Sequence, residues 1–178
     1  PGGDEIKETD GLYPVLPVEF SNYAYLIDWN DYNAPALLHR LQSKGLVLSS
    51  AFKPFSTRSN DGEMSFSYGT LVLPVALQKK TPQEVHELLK EAQQELQVPA
   101  YAVQTGYHLG GVDLGSRHIR PLEQPRAAML IGEGVRSYEA GEVWHLLDTR
   151  VKMPITKIPL RDLRGADLDK YTTLVLVS

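Results

Sequence analysis

The sequence predicts an α/β protein built on a mostly parallel sheet flanked by helices. Three observations predict it. Short apolar, β-branched runs alternate with longer amphipathic stretches. One of those stretches opens on a complete helix-capping signal, Thr81-Pro82-Gln83-Glu84. The letters of the first strand–helix–strand stretch also return in the last third of the chain. Such alternation calls for right-handed crossovers that lay helices over the sheet.

Residues 23–28 (Tyr-Ala-Tyr-Leu-Ile-Asp) read as the first strand. Asn33 is placed to cap a helix with Pro35 in its first turn, and Leu37, Leu38 and Leu41 form a stripe that stops near Gly45. Residues 46–48 begin a second strand. Asn60-Asp61-Gly62 signals a tight turn, so residues 51–55 and 63–68 are expected to form a hairpin. Residues 70–75 read as a buried strand. In the capping box Thr81 caps, Pro82 takes the first helical position where no N–H is needed, and Glu84 reaches back. Val85, Leu88, Leu89, Ala92 and Leu96 then follow at helical spacing, and residues 101–103 make a further strand.

From Ala127 the pattern begins again. Residues 127–131 read as a strand, Gly132-Glu133-Gly134 as a loop, and Ser137 as the cap of a helix carrying Ala140, Val143, Trp144 and Leu147 on one face. A strand at 155–160, a helical turn within 162–169 and a strand at 173–177 follow. Leu26-Ile27 recurs as Leu130-Ile131, His39 as His145, and Thr70-Leu71-Val72-Leu73 as Thr173-Leu174-Val175-Leu176. An internal βαβ repeat is therefore expected. The organisation reads as a disordered leader at 1–11, an α/β domain at 12–105, a Gly-rich linker at 106–126 and a second α/β segment at 127–178. That last segment ends on an apolar strand, which reads as a truncation within a longer protein.

Composition excludes several classes. The chain has 178 residues, 42% hydrophobic and 22% charged, an ordinary globular mix. Its longest apolar run, residues 71–77, is far shorter than the roughly 20 residues that span a bilayer, so no membrane span is expected. A net charge of −4 without a dense basic patch argues against nucleic acid as a partner. With no cysteine, disulfides, thiolate zinc sites and Cys nucleophiles are excluded.

The candidate chemistry is sparse. No histidine begins H-E-x-x-H or H-x-x-E: the residues three positions after His39, His86, His108, His118 and His145 are Gln42, Leu89, Gly111, Pro121 and Asp148. His145 and Asp148 share a helix face, and His108, Asp113 and His118 share a loop, but neither spacing prescribes a metal site. The strand–Gly132-Glu133-Gly134–helix order has the outline of an anion-cradling turn. Ser137 stands where a third glycine belongs, and Glu133 would repel a phosphate, so a plain tight turn is favoured. No G-x-S-x-G elbow occurs. Tyr138 and Trp144 read as core packing, and Asp167 and Asp169 as solvated turn carboxylates. No catalytic residue and no metal ligand is assigned. If the chain binds a small molecule or nucleotide, the loops after Asp28 and Ile131 would line the site, with Trp29, Asn30, Gly132, Gly134 and Ser137 nearest.

Three stretches carry a resemblance. They are residues 137–148 (SYEAGEVWHLLD) preceded by 130–135 (LIGEGV), residues 25–35 (YLIDWNDYNAP), and residues 111–116 (GVDLGS). Together they resemble the region downstream of the peptidase domain in large bacterial zinc carboxypeptidase-like proteins of the M14 family. The resemblance spans about residues 13–178 and is most specific at 137–148. It implies a class I glutamine amidotransferase-like, flavodoxin-like α/β region in a secreted or periplasmic multidomain protein. The zinc-binding peptidase domain would lie upstream of Pro1 and be this region's partner. The family's H-x-x-E and distant His cannot be placed here, so no zinc ligand carries over and no cofactor is expected in this segment. True glutamine amidotransferases use a Cys nucleophile, which this chain lacks. The resemblance thus implies a non-catalytic accessory domain of a zinc metallocarboxypeptidase, the parent activity being proteolysis. The alternative is a small-molecule or nucleotide-binding module.

Overall fold

The computed structural model describes residues 15–59, 62–107 and 109–177. The expected leader at 1–11, the tip Asn60-Asp61 of the hairpin turn, and His108 lie outside the described residues. Among the described residues eleven strands and three α-helices follow one another as β1 (Ala24–Ile27), α1 (Ala34–Ser43), β2 (Ser49–Ala51), β3 (Phe55–Ser59), β4 (Gly62–Phe66), β5 (Leu71–Pro74), α2 (Pro82–Leu96), β6 (Tyr101–Val103), β7 (Gly110–Gly111), β8 (Ile119–Pro121), β9 (Ala127–Ile131), α3 (Ser137–His145), β10 (Thr156–Pro159) and β11 (Thr173–Val175).

The first two-thirds of the chain is built around β1, all four of whose residues are buried. Strand side chains alternate between faces. Tyr25 and Ile27 therefore join Leu37, Leu41, Leu71, Leu73, Val85 and Leu89 under α1 and α2, while Ala24 and Leu26 join Phe55, Phe66, Val72 and Val103 on the opposite face. The main sheet has the order β6-β1-β5-β2-β8, every neighbouring pair antiparallel. A second antiparallel sheet, β4-β3-β7, covers the face away from the helices. β1-α1-β2 and β5-α2-β6 are two crossovers, each split by a strand from the other unit, which is the ferredoxin-like split βαβ arrangement.

This corrects the expectation of a mostly parallel sheet, flavodoxin-like and class I glutamine amidotransferase-like. Among the described residues only the three-stranded sheet β10-β9-β11 is parallel. The physical reason lies between β2 and β5. A parallel neighbour needs a crossover of a dozen or more residues that returns the chain to its starting end. Residues 52–70 instead form the β3–β4 hairpin, which leaves the chain to re-enter the sheet in the opposite direction. The expected internal repeat fails for the same reason: β1 pairs antiparallel with β5, whereas β9 pairs parallel with β11.

Local signals set the helix starts. Thr81 Oγ1 accepts from the Glu84 amide at 3.3 Å, and Glu84 Oε2 accepts from the Thr81 amide at 2.7 Å. The lowered pKa of Glu84 follows chiefly from the Thr81 backbone bond. Asn33 occupies the cap position of α1 but its side chain donates to Leu96 O, 2.9 Å away, tying α1 to the end of α2. Ser137 is the first residue of α3, not its cap. The hairpin strands run four residues later on the first side than expected, at Phe55–Ser59, and the second strand of the main sheet is Ser49–Ala51 rather than residues 46–48. The stretch 106–126, expected as a linker, supplies the edge strands β7 and β8.

Buried polar groups fasten the entry to β1. Gln93, 1% exposed, accepts from Val18 N and donates to Leu16 O, each at 3.0 Å. Ser21 Oγ donates to Val103 O at 2.6 Å and accepts from the Tyr23 and Ala24 amides. Tyr25 Oη accepts from Ser21 N at 2.9 Å, with Ser21 O and His86 Nδ1 each at 3.1 Å. Burial raises the Tyr25 phenol above its ordinary value, so it is neutral and can donate once.

Leu26→Ala should lower unfolding free energy by about 3 kcal/mol, the cost of a buried Leu plus the cavity left behind. Leu176→Ala, at a residue 67% exposed, should stay within about 0.5 kcal/mol. Urea unfolding followed by circular dichroism distinguishes them, and equal losses would contradict the assigned core.

Candidate functional site

The parallel sheet concentrates the sequence-predicted loop residues at one strand end. β9 runs through buried Ala127, Ala128, Met129 and Leu130 and leaves the sheet at Ile131. Gly132 and Gly134 then take φ of +100° and +89°, conformations that side chains disfavour, and the Val135 amide closes the turn on Gly132 O at 3.0 Å. This reversal delivers the chain to α3 within three residues. Because β10 and β11 flank β9 on opposite sides, the connection from β9 to β10 and the one from β10 to β11 run in opposite directions across the sheet, which puts the switch in strand order between β9 and β11.

A cavity of about 410 Å³ lies between this turn, α3 and the sheet. Met129, Ile131, Val135 and Ala140 give it an apolar lining, and Gly132 and Ser137 close one end. At the other side Lys157 Nζ stands 4.2 Å from the centre of the Trp144 ring. No carboxylate lines it. A cavity of this size with an aromatic wall and a single cation suits a small, flat, mainly apolar molecule, neutral or singly anionic. Glu133 lines an adjoining cavity with Pro159, Leu160 and Arg161, which shares Ile131 and Gly132 with the first. Trp144 is 41% exposed and Tyr138 88% exposed, so neither is the core residue that helical spacing suggested.

The other two predicted residues serve their own loop. Trp29 packs on Gly69, whose Cα position would put a Cβ 3.0 Å from the indole. Asn30 Nδ2 donates to Asp28 Oδ1 and Ser67 Oγ, each at 3.0 Å, joining the loop after β1 to the one before β5. Trp29 and Asn30 therefore belong to the antiparallel sheet, and Gly132, Gly134 and Ser137 to the parallel one. Gly134 sits beside Leu160 and does not line the Trp144 cavity. Lys157 and Met129 are lining residues that sequence reasoning missed, since only the β9–β10 pairing brings them beside α3.

Each described histidine has separate surroundings. His86 contacts Tyr25 and the edge of Phe20. His118 is half-buried, and burial together with Lys53, Arg117 and Arg120 lowers its pKa, a cationic setting unfavourable to a metal ion. His145 Nδ1 is 3.4 Å from Thr149 Oγ1, and that hydroxyl also donates to His145 O. His39 is 9% exposed on α1, and burial alone lowers its pKa. Among the described residues no group of three His, Cys, Asp or Glu could hold a metal ion, and no helix is long and apolar enough to cross a membrane.

Comparison with protein-family profiles, with curated proteins and with solved structures finds no match for this chain.

The sign of the His39 effect follows from its burial. Above the ordinary histidine value of 6.5 the ring is neutral in folded and unfolded chains alike. As pH falls through that value the unfolded chain takes up a proton that the folded chain resists, so stability is lost on acidification. Between about pH 7 and pH 5, His39→Gln should lose less stability than the wild type, measured by urea unfolding at each pH. Identical pH slopes would contradict the burial argument.

Proposed function

We propose that this chain is a non-catalytic accessory segment of a zinc metallocarboxypeptidase-like protein of the M14 family. The parent activity is proteolysis, and its zinc site belongs to a peptidase domain elsewhere in the same protein, which is this segment's partner. The resemblance at residues 137–148, 25–35 and 111–116 supports the parentage, and with it a secreted or periplasmic setting. The observation that carries the accessory role is the dispersal of the histidines: His39, His86, His118 and His145 stand in four different environments. A hydrolytic zinc site needs three protein ligands and an open position at one point. The segment would act by supporting the peptidase domain or by offering a surface to its substrates.

The Trp144 cavity favours a second reading, a small-molecule-binding module. There Gly132 and Ser137 line the end beside the turn, and Lys157 selects against cationic ligands. The two readings are compatible, since a ligand could report to a neighbouring domain.

The purified 178-residue chain should release no C-terminal residue from peptide substrates, with or without added zinc. The full parent protein should do so and lose the activity to a chelator. Zinc-dependent peptidase activity in the isolated chain would overturn the accessory role, and a parent without such activity would overturn the parentage.

A further inference from the structure

We propose that the cleft between α1 and the parallel sheet is a binding site for a small organic carboxylate with an apolar body. The cleft encloses about 470 Å³, room for a molecule rather than a bare ion. It lies apart from the Trp144 cavity and shares no lining residue with it. The proposal does not depend on the parentage given above.

The groups that converge there are His39 from α1, Arg126 from the segment leading into β9, Thr156 from β10, and Lys170 and Tyr171 from the turn before β11. No carboxylate lines the cleft. The Arg126 guanidinium is held in place by one bond, Nε donating to Lys170 O at 2.7 Å, and its two terminal nitrogens have no partner among the described residues. That leaves the planar pair of donors that matches the two oxygens of a carboxylate. His39 is more than nine-tenths buried, makes no hydrogen bond among the described residues, and lines the cleft wall. Its ring nitrogens are not sealed from solvent, so a ligand entering the cleft can replace the water they meet. Near neutrality the imidazole is uncharged, because burial holds its pKa low, so it offers one N–H donor.

Charge decides between oxyanions. Arg126 and Lys170 contribute two positive charges, and Asp167, outside the cleft lining, offsets one of them by pairing with Lys170 Nζ at 3.3 Å. The net single charge complements a monoanion better than a phosphate dianion. Pro125, Pro154 and Ile155 complete the walls with apolar surface, which calls for a hydrocarbon body behind the headgroup.

The test is a titration of the full 178-residue chain with sodium benzoate, followed by amide and imidazole NMR shifts. Saturable shifts are expected at the His39 ring and at the amides of Ala127, Thr156 and Tyr171. Arg126→Gln should weaken binding about tenfold, the loss of one charge-assisted pair of hydrogen bonds. Should that variant lose the dispersed spectrum of the folded chain, Lys170→Gln at an exposed position takes its place, with a smaller weakening expected. Absence of saturable shifts, unchanged affinity in the folded variant, shifts centred on Gly132 and Ser137, or tighter binding of phenyl phosphate than of benzoate would each overturn the proposal.

Discussion

The structure depends on one constraint: β1 must bury both of its faces at once. Tyr25 and Ile27 need the helices, and Ala24 and Leu26 need the second antiparallel sheet. Neither layer could be removed without exposing a strand that has no polar face to offer water. Burying a Leu or Ile side chain contributes roughly 1.5–3 kcal/mol, so the four-residue strand and its immediate neighbours dominate the local energetics. The polar groups around it are subordinate but specific. Ser21, Gln93 and the Tyr25 hydroxyl satisfy backbone groups where the chain enters the core, and so determine its path there.

Much of this was legible in the sequence, and the failure was in direction. The capping box at Thr81 and Glu84 is realised with both of its hydrogen bonds, because it is a local device whose partners lie three residues apart. The strands at 24–27, 71–74, 101–103 and 127–131 also fall where apolar β-branched runs put them. A buried strand reads the same whichever way it runs, however. Leu71-Val72-Leu73 carries no mark of being antiparallel to Leu26, and that orientation is imposed by the hairpin at 55–66. The recurrence of similar letters in β11 is a likeness of burial, with no shared topology behind it.

The binding surfaces show the same division. The Gly132–Gly134 turn could be found from sequence because two glycines one residue apart stand between a strand and a helix, and both take the positive φ that glycine permits. The placement of Trp29 and Asn30 apart from that turn was not legible, since their contacts with Gly69 and Ser67 cross 37 residues or more of chain. The His39 cleft had no local signature at all. It joins a helix near the beginning of the described chain to turns more than a hundred residues later, and Arg150 secures the same junction by donating to Tyr32 O at 2.7 Å. Sites assembled from distant elements are legible only after the strands have been ordered.

The arrangement of layers is therefore the claim on which the positions of both cavities rest. It is tested most directly by cross-strand Hα–Hα nuclear Overhauser effects in the folded chain, which arise at alternate residue pairs of antiparallel strands. Such contacts should appear among Ala24–Pro74, Tyr25–Leu73, Leu26–Val72 and Ile27–Leu71, and should be lacking between β9 and β11. A spectrum with none between residues 24–27 and 71–74, or with the register displaced by one residue, would contradict the account.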